Sequence, residues 1–214
     1  MGRENRKRQK KEHLAELVRK LETFTTPELC DGAGHFHAMD WQIKPWVGSG
    51  KICGPAVTVD VPDGEGDIIA DAILALEEGQ VLVVAGKGNC SYSYWGDHRS
   101  ICASMTGAAG VVIDGAFRDV ENCEKAGFPI FAKGLTCGTA GKTGKGAIQV
   151  PVNCGGVVVC PGDLVVGDRN GVIVIDPEEA EGILQRALDK RKRQEALLKR
   201  MKETGEVIPR IPKT

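Results

Sequence analysis

The chain has 214 residues, of which 42% are hydrophobic and 27% charged, and its formal net charge is −1. That length gives one compact domain, with room for helical extensions, and a sizeable buried core. The balanced charge excludes a protein that holds nucleic acid through its overall field, and no apolar run approaches the ~20 residues of a membrane-spanning helix.

Six of the first eleven residues are Lys or Arg (Arg3, Arg6, Lys7, Arg8, Lys10, Lys11) and no apolar stretch follows them. The start therefore does not read as a secretory signal, and a cytoplasmic protein is expected. Leu14, Leu17, Val18 and Leu21 recur at helical spacing, which makes 1–22 a basic helical arm with a frayed beginning. Thr26-Pro27-Glu28 predicts a helix start with Thr as N-cap and Pro in the first position. Residues 55–61 (PAVTVDV) have a strand composition. Ile68, Ile69, Ala72, Ile73 and Leu76 predict a helix over 67–78, and the all-apolar 81–85 (VLVVA) a buried strand. A helix over 98–109, a strand at 111–113, a short helix over 119–126 ending at Gly127 and a strand at 129–132 follow.

From 147 to 175 short β segments are separated by Gly-Gly, Pro-Gly-Asp and Asp-Arg-Asn-Gly, so an antiparallel or mixed β region is expected. Asp176 is the expected N-cap of the last helix, Ala180, Ile183, Leu184, Ala187 and Leu188 form its apolar stripe, and Gly205 closes it. A helix that long at the end of a small domain is expected to reach a neighbouring subunit. The expected organisation is a helical arm (1–22), an α/β core (23–176), a C-terminal interface helix (177–205) and a loose tail (206–214). The eight cysteines form no CxxC pair and none has a His at zinc-finger spacing, which points to reduced thiols.

The segment richest in chemistry runs from 81 to 134, where two buried strands end in glycine-rich polar loops. Ligands of open α/β sheets sit at the carboxyl ends of such strands. Arg118 presents a planar fork for a carboxylate or enolate oxygen. Asp119 offers a hard oxygen for Mg²⁺ or Mn²⁺. The same pair also reads as a surface salt bridge, or as an Asp N-cap of the helix that follows. Gly86-Lys87-Gly88 begins like a dinucleotide fingerprint, but Ser91 stands at the third glycine position. Gly141-Lys142-Thr143 resembles the end of a phosphate-binding loop, but Thr136 stands where its first glycine belongs. The loop 138–146 is better read as shaping a substrate edge or a subunit contact. His35, His37 and His98 are candidate bases or ligands.

Several motifs in order carry a resemblance. They are Cys53 to Val59 (CGPAVTV), Trp95-Gly96-Asp97, Gly110 to Asp119 (GVVIDGAFRD), Gly127 to Phe131 (GFPIF), Pro161-Gly162-Asp163 and Asp168 to Val172 (DRNGV). On these the chain resembles the RraA-like family over about residues 25 to 205. That family includes 4-hydroxy-4-methyl-2-oxoglutarate aldolases, oxaloacetate decarboxylases and regulators of ribonuclease E activity. Family aldolases carry Asp, twenty residues, then Arg-Asp, and Asp97, 98–117, Arg118 and Asp119 fit that spacing.

The resemblance implies a three-layer β/β/α swivelling-domain-like fold, a homotrimer sometimes paired into a hexamer, and a small 2-oxo acid as substrate. It implies that Asp119 holds the Mg²⁺ or Mn²⁺, that Asp97 orders a water on the metal and that Arg118 holds the pyruvyl part and its enolate. Backbone N–H groups around Trp95, Gly96, Asp97 and His98 would cradle the substrate carboxylate. A glutamate from a neighbouring subunit's last helix approaches the site in these aldolases, and Glu195 matches it by position. The implied activity is class II release of pyruvate from a 4-hydroxy-2-oxo acid, with oxaloacetate decarboxylation through the same enolate. The alternative is a regulator of RNA turnover that binds protein and needs no catalysis. A quinone methyltransferase finds no clear cofactor loop in the sequence. His98 departs from the family's aliphatic residue, and Asn89 to Tyr94 is more polar and aromatic than its usual loop, which bears on the substrate rather than on the metal chemistry.

Overall fold

The structure is a computed structural model that describes residues 3–34 and 37–211. In chain order its elements are α1 (Arg3–Leu21), α2 (Thr26–Ala33), β1 (Lys44–Val47), β2 (Ile52–Asp60), α3 (Ile68–Leu74), β3 (Val81–Ser93), α4 (Asp97–Met105), β4 (Gly110–Phe117), α5 (Val120–Ala126) and β5 (Ile130–Leu135). The β-rich part follows as β6 (Ala147–Ile148), β7 (Val152–Cys154), β8 (Val157–Val159), β9 (Leu164–Asp168) and β10 (Gly171–Ile175), before α6 (Ala180–Thr204).

Strands β2, β3, β4 and β5 run parallel, each joined to the next by one of the helices α3 to α5. Their apolar runs reflect burial on both faces, since every residue of β4 is buried. Antiparallel neighbours extend the sheet, giving the order β1-β5-β4-β3-β2-β9-β10 with β6 on the far end of β2. The two ends of this sheet touch, so it curls. The hairpin β7–β8 turns through Gly155 and Gly156, both at positive φ, as a tight two-residue turn requires.

Three apolar clusters fill the spaces. One lies between the parallel strands and α3 to α5 and includes Ile69, Leu82, Ile113, Trp95 and Phe128. A second lies between the other face of the sheet and β7–β8, around Val83, Val112, Phe131 and Cys154. The third packs α1, α2 and α6 on β9 and β10 through Leu21, Leu29, Ile173 and Ile183. The result is the mixed α/β fold with helical arms that the pattern predicts, in the three-layer β/β/α arrangement that the resemblance implies. No helix among the described residues is long and apolar enough to cross a membrane.

Five expectations need correcting. Helix α2 is capped by Thr25 rather than Thr26, because Thr26 spends its backbone N–H and hydroxyl on Asp168 at 2.8 and 2.7 Å. Glu28, three residues after the true cap, accepts the Thr25 N–H at 2.8 Å and completes a capping box. Asp176 opens a turn rather than the last helix: it accepts the Glu178 N–H at 2.8 Å, and the helix starts at Ala180. Two helices stop earlier than expected: α3 at Leu74, although Leu76 beyond it is still buried, and α4 at Met105 rather than near 109. Strand β3 does not end at Ala85 but runs to Ser93, with a register shift around Lys87 and Gly88, both at positive φ.

Candidate active site

The carboxyl ends of β3 and β4 open into a cleft of about 430 Å³. Its floor is Ser93, Trp95, Gly96 and Asp97 together with Arg118 and Asp119. One wall is α4 through His98, Arg99 and Cys102, and another is α3 through Asp67, Ala70 and Leu74. The loop Thr139 to Lys142, part of the glycine-rich segment, forms the remaining edge.

The floor is rigid because bulky residues anchor it. Trp95 is fully buried, stacks on Phe128 with ring centroids 5.9 Å apart, and donates its indole N–H to Ser100 Oγ at 2.9 Å. The Trp95 carbonyl accepts from the Ser93 hydroxyl at 2.7 Å and from the Arg118 backbone N–H at 3.1 Å. Trp95 thus brings the end of β3 and the end of β4 to one place, and its indole holds the loop rather than facing a ligand.

Asp119 has φ 59 and ψ 39, left-handed backbone that costs a non-glycine residue about 1–2 kcal/mol, less for Asp than for most. It occupies the N-cap position of α5 but makes no side-chain capping bond. Its carboxylate turns into the cleft instead, with Oδ2 at 3.2 Å from Arg118 Nε. A Cβ added to Gly96 would lie only 2.8 Å from that same Oδ2, so glycine is what lets the carboxylate sit against the floor. Both readings of Arg118-Asp119 from sequence were therefore half right: there is an ion pair and a cap position, and the strain serves neither. Strain concentrates at functional sites.

Asp97 accepts the His98 N–H on Oδ1 at 2.7 Å and the Asn122 side-chain amide on Oδ2 at 3.2 Å. Asn122 is in α5, three residues after Asp119, so one helix orients both carboxylates. Among the described residues nothing occupies the backbone N–H groups of Gly96 and Asp97 at the start of α4. The His98 N–H is already taken by Asp97, which removes it from the expected backbone cradle. The His98 ring is exposed at the rim, with Nδ1 3.8 Å from Cys102 Sγ.

The other expected residues lie elsewhere. Glu195 is exposed on the outer half of α6, near Arg191, and does not line the cleft of its own chain. His37 leads into the β10 edge, where its carbonyl accepts the Val174 N–H, and His35 lies outside the described residues. Lys87 is exposed beside Asp60. Lys133 is partly buried, with Nζ at 2.8 Å from Asp114 and 3.0 Å from Asp40, and it too lies outside the cleft lining. Burial opposes its charge, but the two carboxylates outweigh burial and raise its pKa above the ordinary lysine value. Gly86-Lys87-Gly88 lies within a strand and opens no helix, so it is no dinucleotide loop. None of the eight cysteines is in a disulfide. Arg99, Asp67 and Asn122 were missed by sequence reasoning, and no local pattern marks them.

The oxygen donors suit a hard divalent cation. Asp119 and Asp97 supply carboxylates on an open floor, and Mg²⁺ commonly takes one or two protein carboxylates and fills the rest with water and substrate. No cluster of three His, Cys, Asp or Glu able to hold a metal occurs among the described residues, so a closed structural site does not fit.

The chain is similar to several known proteins. The family model described as RraA-like, Aldolase/RraA, matches residues 26–174. A Halalkalibacterium halodurans protein named provisionally as a 4-hydroxy-4-methyl-2-oxoglutarate aldolase is 37% identical over 181 residues, 85% of this chain and 86% of that one. Among solved structures, Streptomyces coelicolor RraAS2, described as an unusual member of the RNase ES inhibitor RraA family, superposes with a TM-score of 0.78 at 30% identity over 86% of this chain and 98% of that one. The RNA-processing inhibitor RraA from Thermus thermophilis does so with a TM-score of 0.67 at 28% identity, over 72% and 93%.

Proposed function

Since the chain belongs to the RraA-like family, we propose that it is a divalent-metal-dependent lyase that splits a 4-hydroxy-2-oxo acid between C3 and C4 and releases pyruvate, with oxaloacetate decarboxylation as a second use of the same site. The observation that carries this reading is the convergence of Asp97, Arg118 and Asp119 on one cleft floor at the strand ends, with Asp119 held in a strained backbone state that leaves its carboxylate uncommitted to the helix.

In this reading Asp119 holds Mg²⁺ or Mn²⁺, with Asp97 acting through an ordered water. The metal supplies a Lewis acid at the 2-oxo group. Arg118 presents its fork to the same end of the substrate and stabilises the negative charge that reaches the enolate oxygen. The Gly96 and Asp97 N–H groups face the carboxylate. Asp97, oriented by Asn122, accepts the proton of the 4-hydroxyl by way of a water. The C3–C4 electron pair then moves toward the 2-oxo oxygen, the C4 fragment leaves as a carbonyl compound, and protonation at C3 gives pyruvate. In oxaloacetate the departing fragment is carbon dioxide and no hydroxyl proton is needed. A Schiff-base route requires a neutral lysine in the site; Lys133 is held charged by two carboxylates and lies outside the cleft. The reading includes a homotrimer or paired trimers in the cytoplasm, with Glu195 reaching a neighbouring chain's cleft.

A protein-binding regulator of RNA turnover is the second reading, favoured by the likeness to RraAS2 and the Thermus inhibitor. It leaves the strained Asp119 without a purpose. The deciding experiment is pyruvate release from 4-hydroxy-4-methyl-2-oxoglutarate and from oxaloacetate with Mg²⁺, Mn²⁺ or EDTA. Metal-dependent pyruvate is expected; its absence with both substrates and both metals would favour the regulator.

A further inference from the structure

The loop that closes the last side of the cleft is held from outside the cleft. It starts at Gly138, where a Cβ would lie 2.4 Å from the Ser91 carbonyl oxygen, and residues 141–146 are exposed. Between them the edge 139–142 rests on the turn that precedes α3. The Gly141 N–H donates to the Gly64 carbonyl at 2.6 Å, and the Gly66 N–H donates to the Gly141 carbonyl at 3.1 Å. That turn is itself tied to the end of β3, because Arg99 donates to the Gly66 carbonyl at 2.6 Å and to the Tyr94 carbonyl. One side chain completes the attachment. Glu65 does not line the cleft, but its Oε2 accepts the Thr143 N–H at 3.0 Å. Its Oε1 lies beside Gly141, where a Cβ would come within 2.8 Å. Among the described residues this is the one side-chain hydrogen bond between 139–146 and the rest of the chain.

We propose that Glu65 is a positioning residue: it latches the 139–142 edge in place, and the latched edge is the wall that holds substrate in the cleft during turnover. A hydrogen bond to a charged acceptor is of the stronger class, and here it depends on reach, since the carboxylate must extend to the Thr143 N–H. Gly141 belongs to the same device, because a side chain there would displace the carboxylate from Thr143. Gly144 and Gly146, both at positive φ, give the released segment backbone freedom. The role in turnover rests on the reading of the cleft as a 2-oxo acid site, and the latch itself does not. The competing account is that Glu65 acts on the cleft through its negative charge.

The test sets tryptic cleavage after Lys142, followed by mass spectrometry on the full-length protein, beside steady-state pyruvate release from 4-hydroxy-4-methyl-2-oxoglutarate with Mg²⁺. Glu65→Ala should speed that cleavage about tenfold, the scale of one hydrogen bond to a charged group, because cleavage tracks the open population of the segment. Apparent affinity falls with the closed fraction, so KM should rise severalfold while kcat changes by less than about twofold and Tm holds. Glu65→Asp, one methylene shorter, should behave like Glu65→Ala. Glu65→Gln, which keeps an oxygen at full reach, should recover most of the wild-type behaviour. Gly141→Ala should match Glu65→Ala, and the double variant should be no worse than either, since both break one contact. Unchanged cleavage in Glu65→Ala would overturn the latch. Faster cleavage with an unchanged KM would overturn the positioning role. A normal Asp variant beside a defective Gln variant would overturn both, in favour of charge. No pyruvate from the wild-type protein would overturn the lyase reading and with it the role in turnover, while the cleavage rates would still decide the latch.

Discussion

Replacing Asp119 by Gly, Ala and Asn separates the backbone cost of the site from its chemistry. With φ 59 and ψ 39, alanine at this position bears the full left-handed penalty of about 1–2 kcal/mol. Glycine escapes it, but gives back about 0.4–1 kcal/mol through the greater freedom of the unfolded chain. The side chain makes no capping bond to lose, and its pair with Arg118 is 39% exposed on the Asp side and 45% on the Arg side. Such a pair contributes about 0–1 kcal/mol. Asp119→Gly should therefore be more stable than Asp119→Ala by about 1 kcal/mol, or ~2–4 °C in Tm for a chain of this size. Asn tolerates left-handed backbone nearly as well as Asp, so Asp119→Asn should keep wild-type stability within ~0.5 kcal/mol. All three should lose metal-dependent pyruvate release. Urea unfolding of the three variants beside the coupled pyruvate assay gives both numbers. Equal stability of the Ala and Gly variants would refute the strain argument, and a fully active Asn variant would refute the need for the carboxylate charge.

Gly96→Ala should push the Asp119 carboxylate by several tenths of an ångström, because its Cβ would lie 2.8 Å from Oδ2. The expected loss in kcat is about tenfold or more with little change in Tm, since a 1 Å misplacement can cost ~10²-fold. Lys133→Met leaves Asp114, nearly buried, with the Gly155 N–H at 3.0 Å and no cation. A loss of about 3 kcal/mol in urea unfolding is expected, and pyruvate with borohydride should leave the wild-type enzyme active. Arg191 holds Glu28 at about 2 against an ordinary 4.5. This contribution is complete above pH 4.5 and is lost as pH falls toward 2; for so partly buried a pair it is on the order of 2 kcal/mol. Glu28→Gln should flatten that part of a pH–stability curve measured by thermal melts, and an unchanged acid limb would refute it.

Local pattern and motif carried much of this protein. Apolar runs such as VLVVA and GVVI call for strands buried on both faces, which α3 to α5 cover on one side and β7–β8 on the other, and the Gly-Gly and Asp-Arg-Asn-Gly turns marked the β-rich second half. The family resemblance singled out Asp97, Arg118 and Asp119, and these three lie together on the cleft floor because the ends of the adjacent parallel strands β3 and β4 meet there. Where a side chain had two partners to choose from, sequence could not decide. Thr26 looks like a cap until Asp168, 142 positions away, claims its hydroxyl. Asp176 looks like one until its side chain closes a turn on Glu178. The left-handed Asp119, the glycine that makes room for its carboxylate and the Asn122 bond to Asp97 each depend on contacts between elements far apart in the chain. A one-dimensional pattern records which side chains are present and how often they recur. The partner each one takes is set by packing, and here packing placed three of the cleft's charged groups where their chemistry differs from their default.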